Sequence, residues 1–141
     1  MINPTLHEIT EAFRAASNQK REQKKQAEQV LLEAATIRRE YLLQAMMSLV
    51  SELKPLVKPL VDSGKFKEIF TTNTSCPTWQ LCRTGANGYT IQIYSGHIGE
   101  LFQYWAHYGP DKDTFRNPDR TEALLYAAKA IGELLSQHLD A

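Results

Sequence analysis

One stretch without glycine or proline decides the fold of this chain: residues 5–53, TLHEITEAFRAASNQKREQKKQAEQVLLEAATIRREYLLQAMMSLVSEL. It predicts a single helix several times longer than the globular average of about 11–12 residues. A helix of this length needs its apolar side covered, by the rest of the chain or by a second chain. Two starts are open: Asn3 as the cap with Pro4 at the first helical position, or a capping box of Thr5 and Glu8.

Prolines set the expected end of this helix. Pro55 and Pro59 each lack an amide donor, and their rings clash with the preceding turn. We therefore expect the helix to end near Lys54 and a short second helix to begin after Pro55. The predicted domains are a long helical segment at residues 1–54 and a small α+β domain at residues 55–141.

Apolar residues recur along this helix with heptad spacing, at alternating intervals of three and four residues. This seam runs through Leu6, Ile9, Phe13, Ala16, Lys20, Gln23, Ala27, Val30, Ala34, Ile37 and Tyr41. Its polar middle divides the segment into an amphipathic arm (residues 5–17), a charged spacer (18–26) and an apolar packing segment (27–53). We expect the packing segment to lie on the rest of the chain, on a partner helix, or on both, because its apolar face is broad.

The amphipathic arm is the predicted oligomerisation element, and the long helix can form a coiled coil. Its contacts would come from Leu6, Ile9, Phe13 and Ala16, and deleting residues up to Ser17 should alter assembly more than folding. Net charge favours association as well, because 16 basic residues balance 16 acidic ones and self-repulsion is small. We predict a homo-oligomer with a further protein partner.

The second half of the chain predicts a small antiparallel sheet of about three strands and a C-terminal helix, so that the fold class is α+β. Residues 79–94 form a hairpin, and a three-residue loop at Ala86-Asn87-Gly88 is preferred to a two-residue turn at Asn87-Gly88. The longer loop gathers the apolar side chains on one face, namely Trp79, Leu81, Tyr89, Ile91 and Ile93.

Two further strands and the last helix complete this expected domain. Residues 101–108 are predicted as a strand, with a short helix as the alternative, and residues 66–71 as an edge strand. Asn117-Pro118-Asp119 predicts a helix start with Asn117 as the cap. The apolar face of that helix contains Ala123, Leu124, Ala127, Ala128, Ile131, Leu134, Leu135 and Leu139, and Gly132 beside it would allow a close approach to the sheet.

The chain carries no signal that points to a membrane or to secretion. No apolar run reaches the roughly 18 residues that a membrane span needs, and the start, MINPT, lacks the layout of a signal peptide. We therefore predict a cytoplasmic protein. In that compartment Cys76 and Cys82 are expected to be free and partly buried, with a disulfide as the alternative.

Neither a metal site nor a catalytic site is predicted, and no cofactor is expected. Zinc ligands occur in closely spaced pairs, which Cys76, Cys82, His97 and His107 do not form. Nothing marks either thiol as an activated nucleophile. Glu100, Asp111 and Asp113 could serve as acid or base groups, but the Gly-Pro-Asp-Lys-Asp stretch that contains the last two is typical of a solvated turn. We therefore predict that the protein is not an enzyme.

A basic run on the long helix is the best electrostatic feature. Contacts to phosphate or nucleic acid would come from Lys20, Arg21, Lys24 and Lys25, extended by Arg38 and Arg39. Four glutamates interleave with this run, at positions 22, 28, 33 and 40, and they favour pairing along the helix instead.

Aromatic residues suggest a second kind of ligand. Seven of them fall between Trp79 and Tyr108, more than one sheet face needs as a core. On the strand interpretation, Phe102, Tyr104 and Tyr108 point away from Leu101 and Trp105, to a face either covered by the long helix or exposed for binding. The predicted ligand-binding residues are Arg83, Gln92, Tyr94, His97, Tyr104, Tyr108 and Arg116, because aromatic stacking with arginine holds bases and nucleotides.

These features predict a non-enzymatic, self-associating binding protein that acts through protein–protein contacts. Its size and its lack of a catalytic signature are typical of adaptor, inhibitor or accessory proteins of bacteria and phages. The alternative function is binding of a small ligand, a nucleotide or a nucleic acid, through the aromatic face with Arg83 and Arg116 or through the basic helical strip.

Overall fold

A computed structural model describes residues 3, 5–109 and 113–139 of the chain. The elements follow one another as helix α1 (Leu6–Asp62), strands β1 (Phe66–Thr71), β2 (Thr78–Arg83), β3 (Ile91–Ile98), β4 (Leu101–Tyr108) and β5 (Asp113–Asn117), and helix α2 (Arg120–His138). The predicted α+β class is confirmed. The sheet has five strands rather than about three, in the sequential antiparallel order β1-β2-β3-β4-β5.

The helix α1 begins with the capping box and is one continuous element of 57 residues. The Thr5 backbone amide donates to Glu8 Oε2, and the Glu8 amide donates to Thr5 Oγ1, both at 3.2 Å. These reciprocal bonds satisfy two amides that the first turn leaves without helical partners. Of the two predicted starts, the structure has the one at Thr5.

The expected end of α1 near Lys54 is wrong, because the helix continues through both prolines to Asp62. Pro55 and Pro59 lie on the exposed side, while Val57 and Leu60 on the other side are fully buried. The carbonyls of Ser51 and Pro55 lack their usual amide donors, but both residues are exposed and water can satisfy them. Burial of Val57 and Leu60 offsets the cost of the two prolines. No second helix forms after Pro55.

The chain divides into two compact units, Met1–Ile37 and Arg38–Ala141. In the first unit every described residue is exposed. In the second unit the burial of α1 begins at Leu42 and follows one helical face through Met46, Leu49, Val50, Leu53, Val57 and Leu60. The packing expected of residues 27–53 is therefore found within the chain only from Leu42 onward. A partner helix for residues 27–41 stays a prediction.

Four of the five residues predicted on one face of the β2–β3 hairpin lie there, but Tyr89 falls in the connecting loop, which is longer than predicted. Trp79 lies opposite Ile93 and Leu81 opposite Ile91, and all four side chains are completely buried. Pairing between the two strands stops at Leu81 and Ile91, where the Thr90 amide donates to the Leu81 carbonyl at 2.8 Å. The number of residues in the loop differs from the predicted number by an even amount. Because side chains alternate along a strand, those of both strands therefore stay on the predicted face.

The sheet has two distinct faces. The core face packs against residues 42–60 of α1 and against α2, and carries Phe66, Trp79, Leu81, Ile91, Ile93, Tyr104 and Ala106. Because side chains alternate along strands, the opposite face, here called the outer face, carries Thr78, Gln80, Gln92, Tyr94, Trp105, His107, Thr114 and Arg116.

The last helix starts two residues later than the predicted cap. Asp119 is the N-cap and accepts from the Thr121 amide at 2.8 Å, while Asn117 ends β5 and accepts from the Asp119 amide at 2.8 Å. The predicted apolar face is confirmed, with Ala123, Ala127, Ile131 and Leu134 buried. The close approach expected at Gly132 is wrong, since a Cβ there would meet no atom within 4 Å.

Candidate functional site

A row of three side chains crosses the middle of the outer face. Tyr94 on β3 pairs with Trp105 on β4, and Trp105 pairs with Arg116 on β5. The rings of Tyr94 and Trp105 are stacked, with centroids 5.7 Å apart and planes 12° from parallel. The Arg116 guanidinium carbon lies 5.3 Å from the Trp105 ring centroid, within the range of a cation–π contact. Together they form a row of stacked rings with a cation at one end.

A second row beside it is held by hydrogen bonds. His107 pairs with Gln92 on one side and with Thr114 on the other. Its ring stacks on Tyr94 at 5.5 Å. Its Nε2 lies 3.1 Å from the Tyr94 hydroxyl and its Nδ1 3.1 Å from Thr114 Oγ1. Burial lowers the pKa of His107 below its usual value, which favours the neutral ring. The two rows therefore keep their ring orientations without a ligand.

The charge of the outer face favours planar groups that carry negative charge. Its cations are Lys67 on β1 and Arg116 on β5, and both are exposed. The strand positions of this face that the structure describes include no Asp or Glu. Tyr94, Trp105 and His107 are half-buried, so ring surface faces solvent. Because the Tyr94 ring already stacks on both Trp105 and His107, a base would contact the solvent-facing ring edges or the end of the row, with its phosphate near a cation.

The structure separates the predicted ligand-binding residues into two groups. Gln92, Tyr94 and Arg116 lie on the outer face. His97, Tyr104, Tyr108 and Arg83 have the register of the core face.

The core-face residues of that group are largely committed to packing. Tyr104 is only 8% exposed and burial raises its pKa. His97 packs edge-on against Phe102 at 5.7 Å, and within the described part of the chain its buried Nδ1 has no hydrogen-bond partner. The face of Phe102, Tyr104 and Tyr108 is thus the one that the helices cover.

Arg83 and Tyr108 also line a separate cavity of about 450 Å³ between one end of the strands and α2. Phe66 and Leu134 contribute apolar surface to this cavity, and Glu133 and His138 contribute polar groups. Burial and a hydrogen bond with Glu133 raise the pKa of Tyr108. Arg83 is therefore placed in another environment than Arg116, and the two do not form one ligand site.

The two cysteines are free, with Cys82 buried on the outer-face side of β2 and Cys76 half-buried. The Cys76 thiol donates to the Ser95 carbonyl at 3.4 Å. Burial raises the pKa of both thiols, which keeps them protonated at neutral pH. Within residues 5–109 and 113–139, no three His, Cys, Asp or Glu side chains are grouped so that they could hold a metal ion.

The predicted phosphate contacts lie on the exposed surface of α1. Lys20, Arg21, Lys24, Lys25, Arg38 and Arg39 are all exposed. Lys20 and Lys24 are one helical turn apart, as are Arg21 and Lys25, so each pair shares a side of the helix. Lys20, however, also occupies the seam, where a partner helix would cover it.

The seam itself is the most exposed apolar feature of the chain. Leu6 is 81% exposed, Phe13 73%, Val30 63% and Ile37 67%. Ile9 is 40% exposed and Ala16 is exposed as well. An isolated helix has no second element against which to bury such a stripe, so these side chains are available to a partner.

Sequence reasoning missed Trp105, His107 and Thr114 as members of the outer face. Trp105 and His107 were in the predicted strand, and their alternation with Tyr104 was correct. Without β5, which has the polar sequence DTFRN, nothing placed Arg116 beside Trp105. To predict this site from the sequence, the polar segment after Gly109 would have to be recognised as an edge strand.

Comparison of the chain with protein-family models, with curated proteins and with solved structures found no match. Over the described residues, neither helix contains a stretch apolar and long enough to cross a membrane. The function must therefore be inferred from the seam and from the outer face.

Proposed function

We propose that this chain is a non-enzymatic, cytoplasmic binding protein of adaptor or inhibitor type that self-associates through the first part of α1. The observation that carries the proposal is the seam, a heptad pattern that is apolar except at Lys20 and Gln23 and that is exposed on a continuous helix up to Ile37. A coiled-coil contact is the arrangement that such spacing serves. The free thiols of Cys76 and Cys82 are compatible with a reducing compartment.

The free energy available from the seam is enough for a stable assembly. Leu6, Ile9, Phe13, Val30 and Ile37 are all at least 40% exposed. Burying one such side chain completely contributes about 1.5–3 kcal/mol. Two copies of the helix therefore gain more than the several kcal/mol that association costs in translational and rotational freedom.

Analytical ultracentrifugation between low and high micromolar concentration tests this proposal. We expect a mass above that of the 16.0 kDa monomer, and a return toward the monomer for the double variant Ile9→Ser and Phe13→Ser. The matched control is Leu32→Ser, because Leu32 is 62% exposed on the same helix but lies off the seam. A wild-type chain that stays monomeric at high micromolar concentration would refute the proposal.

A second candidate function is binding of a nucleotide or a single-stranded nucleic acid on the outer face. It is favoured by the stacked Tyr94–Trp105 pair with Arg116 at its end. Calorimetric titration with nucleoside monophosphates and short oligonucleotides tests it. Trp105→Ala and Arg116→Gln should abolish binding, whereas Arg83→Gln should not, because Arg83 lies on the other face.

The basic residues of α1 would make a separate contribution to oligonucleotide binding, which the same titration can detect. If Lys20, Arg21, Lys24 and Lys25 contact phosphates, changing all four to Gln weakens oligonucleotide binding and lowers its salt dependence. Binding of the mononucleotides should then be unaffected. If the wild-type chain binds none of these ligands, the second candidate function is eliminated.

A further inference from the structure

We propose that the partner covering the seam is a second copy of this chain running antiparallel, with the two-fold axis between Arg21 and Glu22. This inference rests on the self-association proposed above and specifies its geometry. In this arrangement each seam residue from Leu6 to Ile37 lies level with one residue of the partner, and the residue numbers of every such pair add up to 43. Lys20 then lies level with Gln23, and Leu6 with Ile37.

The two polar residues of the seam select this register. Reversing one helix of a coiled coil brings the first apolar position of a heptad level with the fourth position of the partner, so unlike residues meet. In the proposed register Lys20 and Gln23 meet each other across the axis, and both lie on exposed helix. All other layers are apolar: Ala16 with Ala27, Phe13 with Val30, Ile9 with Ala34, and Leu6 with Ile37.

Neighbouring antiparallel registers mix polar and apolar residues. A shift of one heptad in one direction brings Lys20 level with Ala16 and Gln23 level with Phe13. The opposite shift brings Lys20 level with Val30 and Gln23 level with Ala27. Each shift would bury a polar group against an apolar partner and leave it without a hydrogen bond. Of these three registers, only the proposed one keeps the polar pair together.

A parallel dimer is disfavoured by charge and by packing. Every layer would pair identical residues, so Lys20 would face Lys20 of the partner at a core position. Ala16 and Ala27 form thin layers in either orientation, but only in the parallel pair would Ala34 face Ala34 in a thin layer and Phe13 face Phe13 in a thick one. Glu33 and Arg38 of the partner would attract each other in a parallel pair, and symmetry gives two such contacts, but each exposed ion pair is worth at most about fivefold in affinity.

The length of the exposed seam matches this arrangement. The helix begins at Leu6, and its first compact unit ends at Ile37, the residue that lies level with Leu6 of the partner. Beyond that point α1 turns its apolar residues to its own sheet. Tyr41 packs edge-on against Phe102 at 5.3 Å, and Leu42 is 4% exposed. The two overlapping segments, residues 6–37 of each chain, are roughly 46 Å long at 1.5 Å per residue. They match every seam residue from Leu6 to Ile37, and Tyr41 lies outside them.

A single substitution distinguishes the two orientations. Gln23→Glu places a carboxylate level with Lys20 of the partner in the antiparallel dimer, where two such pairs form. In a parallel dimer the same change places two carboxylates against each other. Sedimentation equilibrium should show dimerisation that is tighter by roughly 2- to 30-fold in the variant. The matched control is Gln26→Glu, which adds the same charge to an exposed position beside the seam and should change the dissociation constant little.

The outcomes separate this inference from the function on which it rests. A wild-type chain that remains monomeric removes both. A wild-type dimer that weakens with Gln23→Glu overturns the antiparallel arrangement and leaves self-association standing. A wild-type trimer would also overturn the antiparallel arrangement and leave self-association standing, because a two-fold antiparallel pair contains only two helices. The reverse substitution, Gln23→Lys, should weaken the antiparallel dimer, since it sets two cations level with each other.

Discussion

Ser95 shows how a single polar side chain positions the long helix on the sheet. Its side chain is completely buried, and its Oγ donates to the Leu42 carbonyl at 2.9 Å. A buried hydroxyl without a partner would destabilise the fold by about 1–3 kcal/mol. Leu42 is the first buried residue of α1, so this bond marks the point where the helix begins to pack on β3.

The packing around residue 132 does not require the glycine that the chain has there. Gly132 lies inside α2, and a Cβ built on it would meet no atom within 4 Å. Replacing glycine by alanine within a helix reduces the conformational freedom of the unfolded chain. We predict that Gly132→Ala raises the free energy of unfolding by about 0.5–1 kcal/mol.

Urea denaturation followed by circular dichroism measures that change. The reverse substitution nearby, Ala128→Gly, is the control and should lower the unfolding free energy by a similar amount. A loss of stability in Gly132→Ala would mean that the helix does need a close approach at this position.

At the scale of elements, the continuation of α1 past its prolines is the main departure from local expectation. Proline in a helix interior costs about 3 kcal/mol when nothing compensates it. Here both rings lie on the exposed side, and the buried stripe passes from Leu53 to Val57 and Leu60 without interruption. The turns after Lys54 are therefore held by the core rather than by helix propensity.

This account predicts that Leu60→Ala lowers the free energy of unfolding by about 2–5 kcal/mol, the usual cost of truncating a buried leucine. Leu60 is 0% exposed although it follows both prolines. The control is Lys54→Ala, an exposed position just before Pro55, which should leave the urea midpoint unchanged. A small effect of Leu60→Ala would show that the last turns of α1 do not belong to the core.

At the scale of the whole molecule, the two compact units have different roles. The unit Arg38–Ala141 contains every buried residue of the described chain, whereas in Met1–Ile37 each described residue is exposed. Stability and assembly are therefore expected to depend on different parts of the sequence. A deletion can separate these two properties.

We predict that removing residues up to Ser17 abolishes or weakens self-association and leaves folding nearly unchanged. The deletion takes away Leu6, Ile9, Phe13 and Ala16 from the seam but no buried side chain. Ultracentrifugation measures the assembly, and urea denaturation of both chains at a concentration where the wild type is monomeric measures the folding. A large fall in unfolding free energy under those conditions would contradict the division of roles.

Much of the fold could be predicted because its signals are local. The Thr5–Glu8 capping box, the long glycine-free helix, the common face of Trp79 and Ile93, and strand β4 depend on neighbouring residues. β5 could not be predicted, because DTFRN is too polar to resemble a strand and is held by its pairing with β4. The candidate site could not be predicted either, because Arg116 lies beside Trp105 only when β5 pairs with β4.

The sequence by itself determined the α+β class, the seam and the alternation of side chains along each strand, because periodicity and capping act within a few residues. Only the tertiary structure decided which sheet face the helices cover and that α1 runs through its prolines. It also decided that Tyr94, Trp105 and Arg116 share an open face. These outcomes depend on burial between residues distant in sequence, and the free energy of that burial exceeds local preferences.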